Sequence, residues 1–479
     1  MKRQIFQNAF AGLASVTLAL GLASMQVIAE SDAPSQVLFK NVSVFNGKDD
    51  KLLSGRSVLV EGNLIKSVSS SDISAPAGAT VIDGGGKTLM PGLIDGHAHL
   101  MINSNYGVIE VDEDPYDLGI KSVKVVEAFL MDGFTSVRDM GGPTFALKRQ
   151  IEKGSIIGPR VYPAGAFISQ TSGHGDFRHR FDMGWTPKAG SDISNWEKMG
   201  MGAVADGVPE VLTATRINLR HGATQIKIMA GGGGSSKYDP IDTTQYSVEE
   251  TCAIVEAAKD WGTYVGAHIF TDRAINRALD CGIKSFEHGF FASFDTYKRV
   301  AKEGAYVVPQ FWGLSPELQN NPLMPPAKLP LVKQLAETYK DVGRTMLDAG
   351  VTIVFNSDWV GDMEDAHRSR RFEIWNSTQF LGGGKKNRNG NFETLKTLTS
   401  NAGKLLAESG PRNPAPGPLG VIEEGATADI LLVDGNPLQD IGVLNGGYTA
   451  WYSQPVPTEN PIETIQVIMK DGVIYKNTL

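Results

Sequence analysis

Beyond residue 35 the chain alternates apolar and polar positions with a period of two, the repeat of a half-buried strand. Residues 37–47 and 57–68 form two such strands around a turn at Glu61-Gly62-Asn63, and residues 80–83 add a third. The C-terminal end mirrors this at Asp429-Ile-Leu-Leu-Val433 and again at 465–477. Two all-β pieces flanking a mixed middle predict a small β-sandwich built by both ends, from residues 34–91 and 416–479. Between them, apolar runs at 93–99, 135–140, 160–165, 225–230, 264–269, 285–289, 306–311 and 352–358 alternate with amphipathic stretches such as 247–261 and 272–281. Eight strand–helix units over 92–415 predict a TIM-type (β/α)8 barrel. A doubly wound open sheet is the alternative. It requires a glycine-rich dinucleotide turn after an early strand, and the sequence has none.

Two glycine runs do not change this picture. Gly84-Gly-Gly-Lys87-Thr88 lacks the first glycine of a phosphate loop, since position 81 is Val. Gly231–Gly234 has no lysine partner and reads as loop backbone beside a crowded site. A long irregular insertion at 166–209 carries Gly173-His174-Gly175-Asp176; a loop of this length is functional or mobile.

Composition narrows the partners. The 479 residues are 41% hydrophobic and 20% charged with a formal net charge of −8, which argues against nucleic acid or an anionic membrane and for a small solute. Lys2 and Arg3, the apolar run Phe10–Ser24 and the small residues before Ala29 read as a signal peptide, residues 1–29. The mature chain is expected in the periplasm or outside the cell, without membrane contact. Cys252 and Cys281 fall in helices of neighbouring units, where a bridge and buried free thiols are both open.

The chemistry begins at Leu93-Ile-Asp-Gly-His97-Ala-His99-Leu100. Alternation sends His97 and His99 to one face of a strand end, where two imidazoles can bind one metal ion. Lys227 stands between Ile226 and Ile228, so it faces the interior, where an ammonium needs either an acid or conversion to a carbamate. His268, His288 and Asp358 close three further strands. Together these six supply nitrogen and oxygen ligands for two divalent ions, and zinc suits them better than manganese or cobalt. His221 reads as a helix-terminus residue, His179 and His367 as surface loop residues, and Arg138 with Asp139 as an internal ion pair.

The set HxH, Lys, His, His and Asp, preceded by Met90-Pro-Gly-Leu-Ile-Asp95-Gly, resembles the amidohydrolase superfamily. Ser169–Asp176, Lys227–Gly233, Asp239–Asp242 with Gln245–Ser247, and Ser285–Gly289 are most similar to the branch of imidazolonepropionase-like proteins, Xaa-Pro dipeptidases and bacterial ochratoxin-degrading amidohydrolases. The resemblance implies that His97, His99 and Asp358 bind the more buried ion and His268 and His288 the exposed one. It further implies that N6-carboxylated Lys227 bridges them and that Asp358 serves as general acid and base toward an activated water. It implies cleavage of an amide or peptide bond beside a free carboxylate, in a dipeptide or an N-acyl amino acid such as ochratoxin A, by an enzyme that self-associates. His174 is the implied substrate contact, with Tyr246, Phe270 and Trp359 as further pocket residues. Phe270 stands where relatives often carry Tyr, which points to a more apolar or aromatic substrate. A cyclic-amide or lactone hydrolase on the same centre is the alternative enzyme; a scaffold without catalysis is opposed by six filled ligand positions.

Overall fold

The alternating segments at the two ends of the chain meet in one sheet. The structure, a computed structural model, describes residues 34–104, 106–179, 193–236, 238–320, 329–358, 360–455 and 462–479, so the expected signal peptide and Trp359 lie outside the described residues. The N-terminal part supplies β1 (Gln36–Val44), β2 (Leu53–Glu61), β3 (Leu64–Ser69), β4 (Thr80–Asp83) and β5 (Thr88–Pro91). The middle carries β6 (Leu93–Ala98), β7 (Phe134–Asp139), β8 (Arg160–Pro163), β9 (Phe167–Ser169), β10 (Gly202–Val204), β11 (Ile226–Met229), β12 (Val265–Thr271), β13 (Ser285–Phe291), β14 (Tyr306–Val308) and β15 (Thr352–Ile353). The C-terminal part adds β16 (Ile430–Val433), β17 (Ile465–Lys470) and β18 (Val473–Asn477).

The end sheet runs β18-β17-β16-β5-β1-β2-β3, with β4 beside β1. Strand β5 pairs antiparallel with β16, Leu89 opposite Leu432. Alternation separates two apolar clusters here. Leu89, Ile430 and Leu432 join one with Phe39 and Val60, whereas Met90, Leu431 and Ile468 join another with Phe129 and Phe134. Both faces of the sheet are therefore buried at its centre, which is why apolar residues predominate in these strands.

The middle strands form parallel sheets ordered β6-β7-β8 and β10-β9-β11-β12-β13-β14-β15. The third strand, expected over 160–165, is shorter: β8 ends at Pro163 and pairs with β7, whereas β9, after Gly165 in the left-handed region at φ 78°, pairs with β11. The long insertion thus contributes two of its own strands to the sheet, β9 and β10. The expected strand over 352–358 keeps regular pairing only at its start. Its continuation is tied to β6 by Gly96 N–H to Phe355 O (2.9 Å) and Asp358 N–H to His97 O (2.9 Å).

Helix boundaries follow the residues that serve them. Ser247 caps the helix Val248–Asp260, receiving the Glu250 amide while the Glu250 carboxylate returns to the Ser247 amide. No helix among the described residues is long and apolar enough to cross a membrane. Cys252 and Cys281 are joined in a disulfide that staples this helix to Asp272–Cys281.

His367, expected on a surface loop, is instead buried on the helix Met363–Leu381, because the face it occupies meets the end of the helix Pro115–Met131. There Asp132 accepts from His367 Nδ1 (2.9 Å), Arg370 Nη2 (2.6 Å) and Arg371 Nη2 (2.9 Å). Glu373 on the same helix is fully buried and accepts from the Phe311 amide (2.7 Å) and the Asn376 amide (3.0 Å). Burial pushes its carboxyl up to about 8. Folded protein therefore keeps a proton that unfolded protein releases near the ordinary value of 4.5, so this residue costs stability as pH rises from about 4.5 toward 8. Urea midpoints at pH 5, 6.5 and 8 are expected to show Glu373→Gln gaining on the parent by up to about 1.4 kcal/mol per pH unit. Parallel pH dependence of the two proteins would refute the assignment.

Candidate metal centre

Parallel register brings the carboxyl ends of the middle strands to one side, pairing Met229 with His268 and Ile269 with His288. Ile226 and Ile228 face the apolar cluster under the helices, so Lys227 points inward, and it is buried. His97 and His99 point to the same side, with their Nε2 atoms 3.3 Å apart. Each Nε2 is 3.4 Å from Asp358 Oδ1, and Lys227 Nζ is 3.4 Å from His97 Nε2. The His288 ring centre lies 4.5 Å from that of His268 and 5.5 Å from that of His97. The structure thus gathers all six candidate ligands, from five segments of the chain.

Two of them are held by unusual backbone. His288 has φ 70° and Asp358 φ 40°, a region that costs a non-glycine residue about 1–3 kcal/mol. At His288 the turn breaks alternation, so Glu287 and His288, neighbours in sequence, both reach the interior. Asp95 braces the same region, accepting from the His97 amide (3.1 Å), the Ser357 amide (3.2 Å) and the Ser357 hydroxyl.

Hydrogen bonding fixes the histidine tautomers. His99 Nδ1 faces the Gly141 carbonyl (3.1 Å) and must donate, as must His97 Nδ1 toward the Glu287 carboxylate (2.8 Å). Both Nε2 atoms therefore present lone pairs to each other and to Asp358. His268 Nε2 donates to Gly232 O (3.0 Å), which frees its Nδ1, and the buried His288 Nδ1 has no hydrogen-bond partner. Converging electron-pair donors and an unpaired buried imidazole nitrogen fit a divalent cation. His97, His99 and Asp358 place their ligand atoms within 4.8 Å of one another.

Electrostatics agree with this fit. Burial, reinforced by Lys227, holds His97 well below the ordinary histidine value; burial with His174 nearby does the same to His268, and burial lowers His288 to about 4. Neutral imidazoles are the ligating form. Burial opposes charge on Asp358, and its carboxyl falls well below the usual range only through positive charge on the facing His97 and His99 imidazoles; with those imidazoles neutral, a bound cation would have to take that place. Burial lowers Lys227 to about 8 against the attraction of Glu287 and Asp358.

Above the cluster, the His174 ring stacks on His268 at 3.9 Å between centres, and its Nδ1 lies 2.8 Å from Ser236 Oγ and 3.3 Å from Asp239 Oδ2. Asp239 also accepts from the Gly233 amide (2.9 Å), and a Cβ at Gly233 would lie 1.9 Å from the His174 ring. Within the glycine run, Gly233 is needed for this close approach. Phe270 stacks on His288 at 5.3 Å. Tyr246 corrects the expectation of a pocket residue: it is buried in the helix–strand core and its hydroxyl donates to Ala205 O (3.0 Å), so no group is left for a ligand.

The other sequence readings divide. His221 ends the helix Gly207–His221 and stacks on Phe145, and His179 is exposed in a loop. Arg138 is not paired with Asp139, because adjacent strand residues face opposite sides. Its Nη2 bridges both Glu287 oxygens (2.9 and 2.8 Å), while Asp139, raised to about 7 by burial, accepts from the Leu100 and Gly141 amides. Glu287 was missed by sequence reasoning, although its parity with Ser285, opposite outward-facing Phe286, carried the signal.

Comparison with known proteins supplies the remaining constraint. The model of the Amidohydrolase family matches residues 88–476. Ochratoxinase of Aspergillus niger is 31% identical over 368 residues, 74% of this chain and 72% of that protein. Its crystal structure superposes with a TM-score of 0.76 at 26% identity, over 93% of this chain and 97% of that one. A prolidase crystallised with N-methylphosphonate-L-proline gives 0.79 at 32% identity, covering 93% and 100%. A Xaa-Pro dipeptidase with bound methionine gives 0.74 at 26%, covering 92% and 100%.

Proposed function

The chain belongs to the amidohydrolase family, and from that premise we propose that this hydrolase of amide bonds cleaves an N-acyl amino acid or dipeptide beside its free carboxylate. The observation that carries the reading is the meeting of six side chains from separate segments at one set of strand ends. The relatives are an ochratoxinase, a prolidase and a Xaa-Pro dipeptidase, names that support this class of substrate, and ochratoxin A itself is a candidate substrate. We further propose that the two parallel sheets form one (β/α)8 barrel, with the end sheet as the β-sandwich.

His97, His99 and Asp358 would hold one divalent ion and His268 and His288 a second, with zinc the best match to the donor set. Such ions supply an acidified water and polarise the scissile carbonyl. The residues of the chain do the rest. Asp358, whose carboxylate faces His97 and His99, accepts the proton of the attacking water and delivers it to the departing amine nitrogen. Lys227, with its amine brought down to about 8, can when neutral add carbon dioxide and release one proton, and the resulting carbamate would offer oxygen ligands to both positions. His174, bracketed by Ser236 and Asp239, would meet the substrate carboxylate, and Phe270 would offer an aromatic wall. The disulfide fits an exported, oxidised chain, and homo-oligomerisation is proposed by likeness to relatives.

The test is a substrate panel on zinc-loaded protein. N-acyl-phenylalanine and Xaa-Phe dipeptides are expected to be hydrolysed at least 10-fold faster than their carboxamide-blocked forms. Activity confined to lactones or cyclic amides would replace this reading, and none on any member would sink it.

A further inference from the structure

We propose that Glu287, clamped by Arg138, is a positioning residue that locks His97 in its Nδ1–H tautomer and, through its charge, sets how tightly the site holds a divalent cation. The inference rests on the metal-centre reading above. Glu287 Oε2 lies 2.8 Å from His97 Nδ1, both Glu287 oxygens receive Arg138 Nη2, and Oε1 also receives the Ser285 hydroxyl (2.6 Å). Arg138 is fixed in turn by Tyr264 OH (3.2 Å), Ser285 Oγ (3.0 Å) and the Gly96 carbonyl, the peptide just before His97. Arg138, Glu287 and Ser285 are wholly buried and His97 nearly so, so no water competes for these bonds.

The two imidazoles of the pair are consequently unlike. His99 is oriented by a neutral peptide carbonyl, whereas His97 is backed by a full negative charge. A carboxylate behind a ligating imidazole fixes its orientation and makes the opposite nitrogen a stronger electron-pair donor. Arg138 meets that carboxylate from the far side, its Nη2 reaching both oxygens and holding the group in place behind His97. Fold stability alone gives little reason for such a pair, because a buried ion pair is often no better than apolar residues of equal volume.

The experiment uses the full chain, stripped of metal and titrated with zinc against a chromophoric chelator, with 15N-histidine spectra as a second readout. Glu287→Gln keeps an acceptor for Nδ1–H but removes the charge, and zinc affinity is expected to fall about 10- to 100-fold. Arg138→Met combined with Glu287→Gln removes the stranded cation; it is expected to recover thermal stability while keeping the affinity loss. In cation-free parent protein, His97 is expected as Nδ1–H, and in Glu287→Ala as a tautomer mixture. Unchanged zinc affinity in a folded double variant, or Nε2–H on His97 in the parent, would overturn the inference alone. Parent protein that takes up no divalent cation would overturn the metal-centre reading with it.

Discussion

Asp358→Asn is expected to lower kcat on N-acyl-phenylalanine by about 10^3-fold or more while leaving the fold intact. The effect is large because one carboxylate faces both His97 Nε2 and His99 Nε2 at 3.4 Å and is the most open of the six side chains, within reach of a substrate. An amide cannot carry the proton between water and leaving nitrogen, a role worth roughly 10^2 to 10^4 in rate. It also removes the negative charge from a cluster of neutral imidazoles. The fold is spared for a local reason. Asp358 sits at φ 40°, and Asn tolerates the left-handed region as well as Asp does. Steady-state kinetics with near-ultraviolet circular dichroism checks both halves; an active, native-like variant would remove Asp358 from the chemistry.

The largest effect on stability is expected at Asp132, far from the candidate ligands in sequence. Asp132→Ala should cost about 3–5 kcal/mol, read as a drop in urea midpoint. Its carboxylate is the shared acceptor for Arg370, Arg371 and His367, all buried, and burial opposes ionisation yet Arg370 and His367 hold it far below the usual range. Removal strands the fully buried Arg370, whose guanidinium rests over the Phe129 ring at 3.9 Å but has no carboxylate besides Asp132 among its described bonds. A loss under 1 kcal/mol would show that solvent reaches the cluster when the acid is gone.

How much of this was legible beforehand depended on whether alternation held. Ile226 and Ile228 gave away the inward course of Lys227, and the one-residue spacing of His97 and His99 put both on one side. The rule fails where backbone leaves the strand region. Glu287 and His288 both face inward because of the turn at φ 70°, so a reading that placed His288 at the site had to lose Glu287. Partner choice was likewise hidden. Arg138 has an acid next door in sequence but meets one on another strand, and only the packing of β7 toward β13 reveals it. His367 looked like a loop residue because its acid, Asp132, closes a helix from the other end of the chain.

The pairing of β5 with β16 also bears on how the molecule is made. Leu89 waits for Leu432, so the strand that leads directly into β6 and its two histidines has an open edge until almost the whole polypeptide exists. Contacts so distant along the chain are slow to close. Nascent protein should therefore mature late, with its cation ligands aligned only after synthesis passes Val433, and truncation anywhere before that residue should yield an aggregating product rather than a smaller working enzyme.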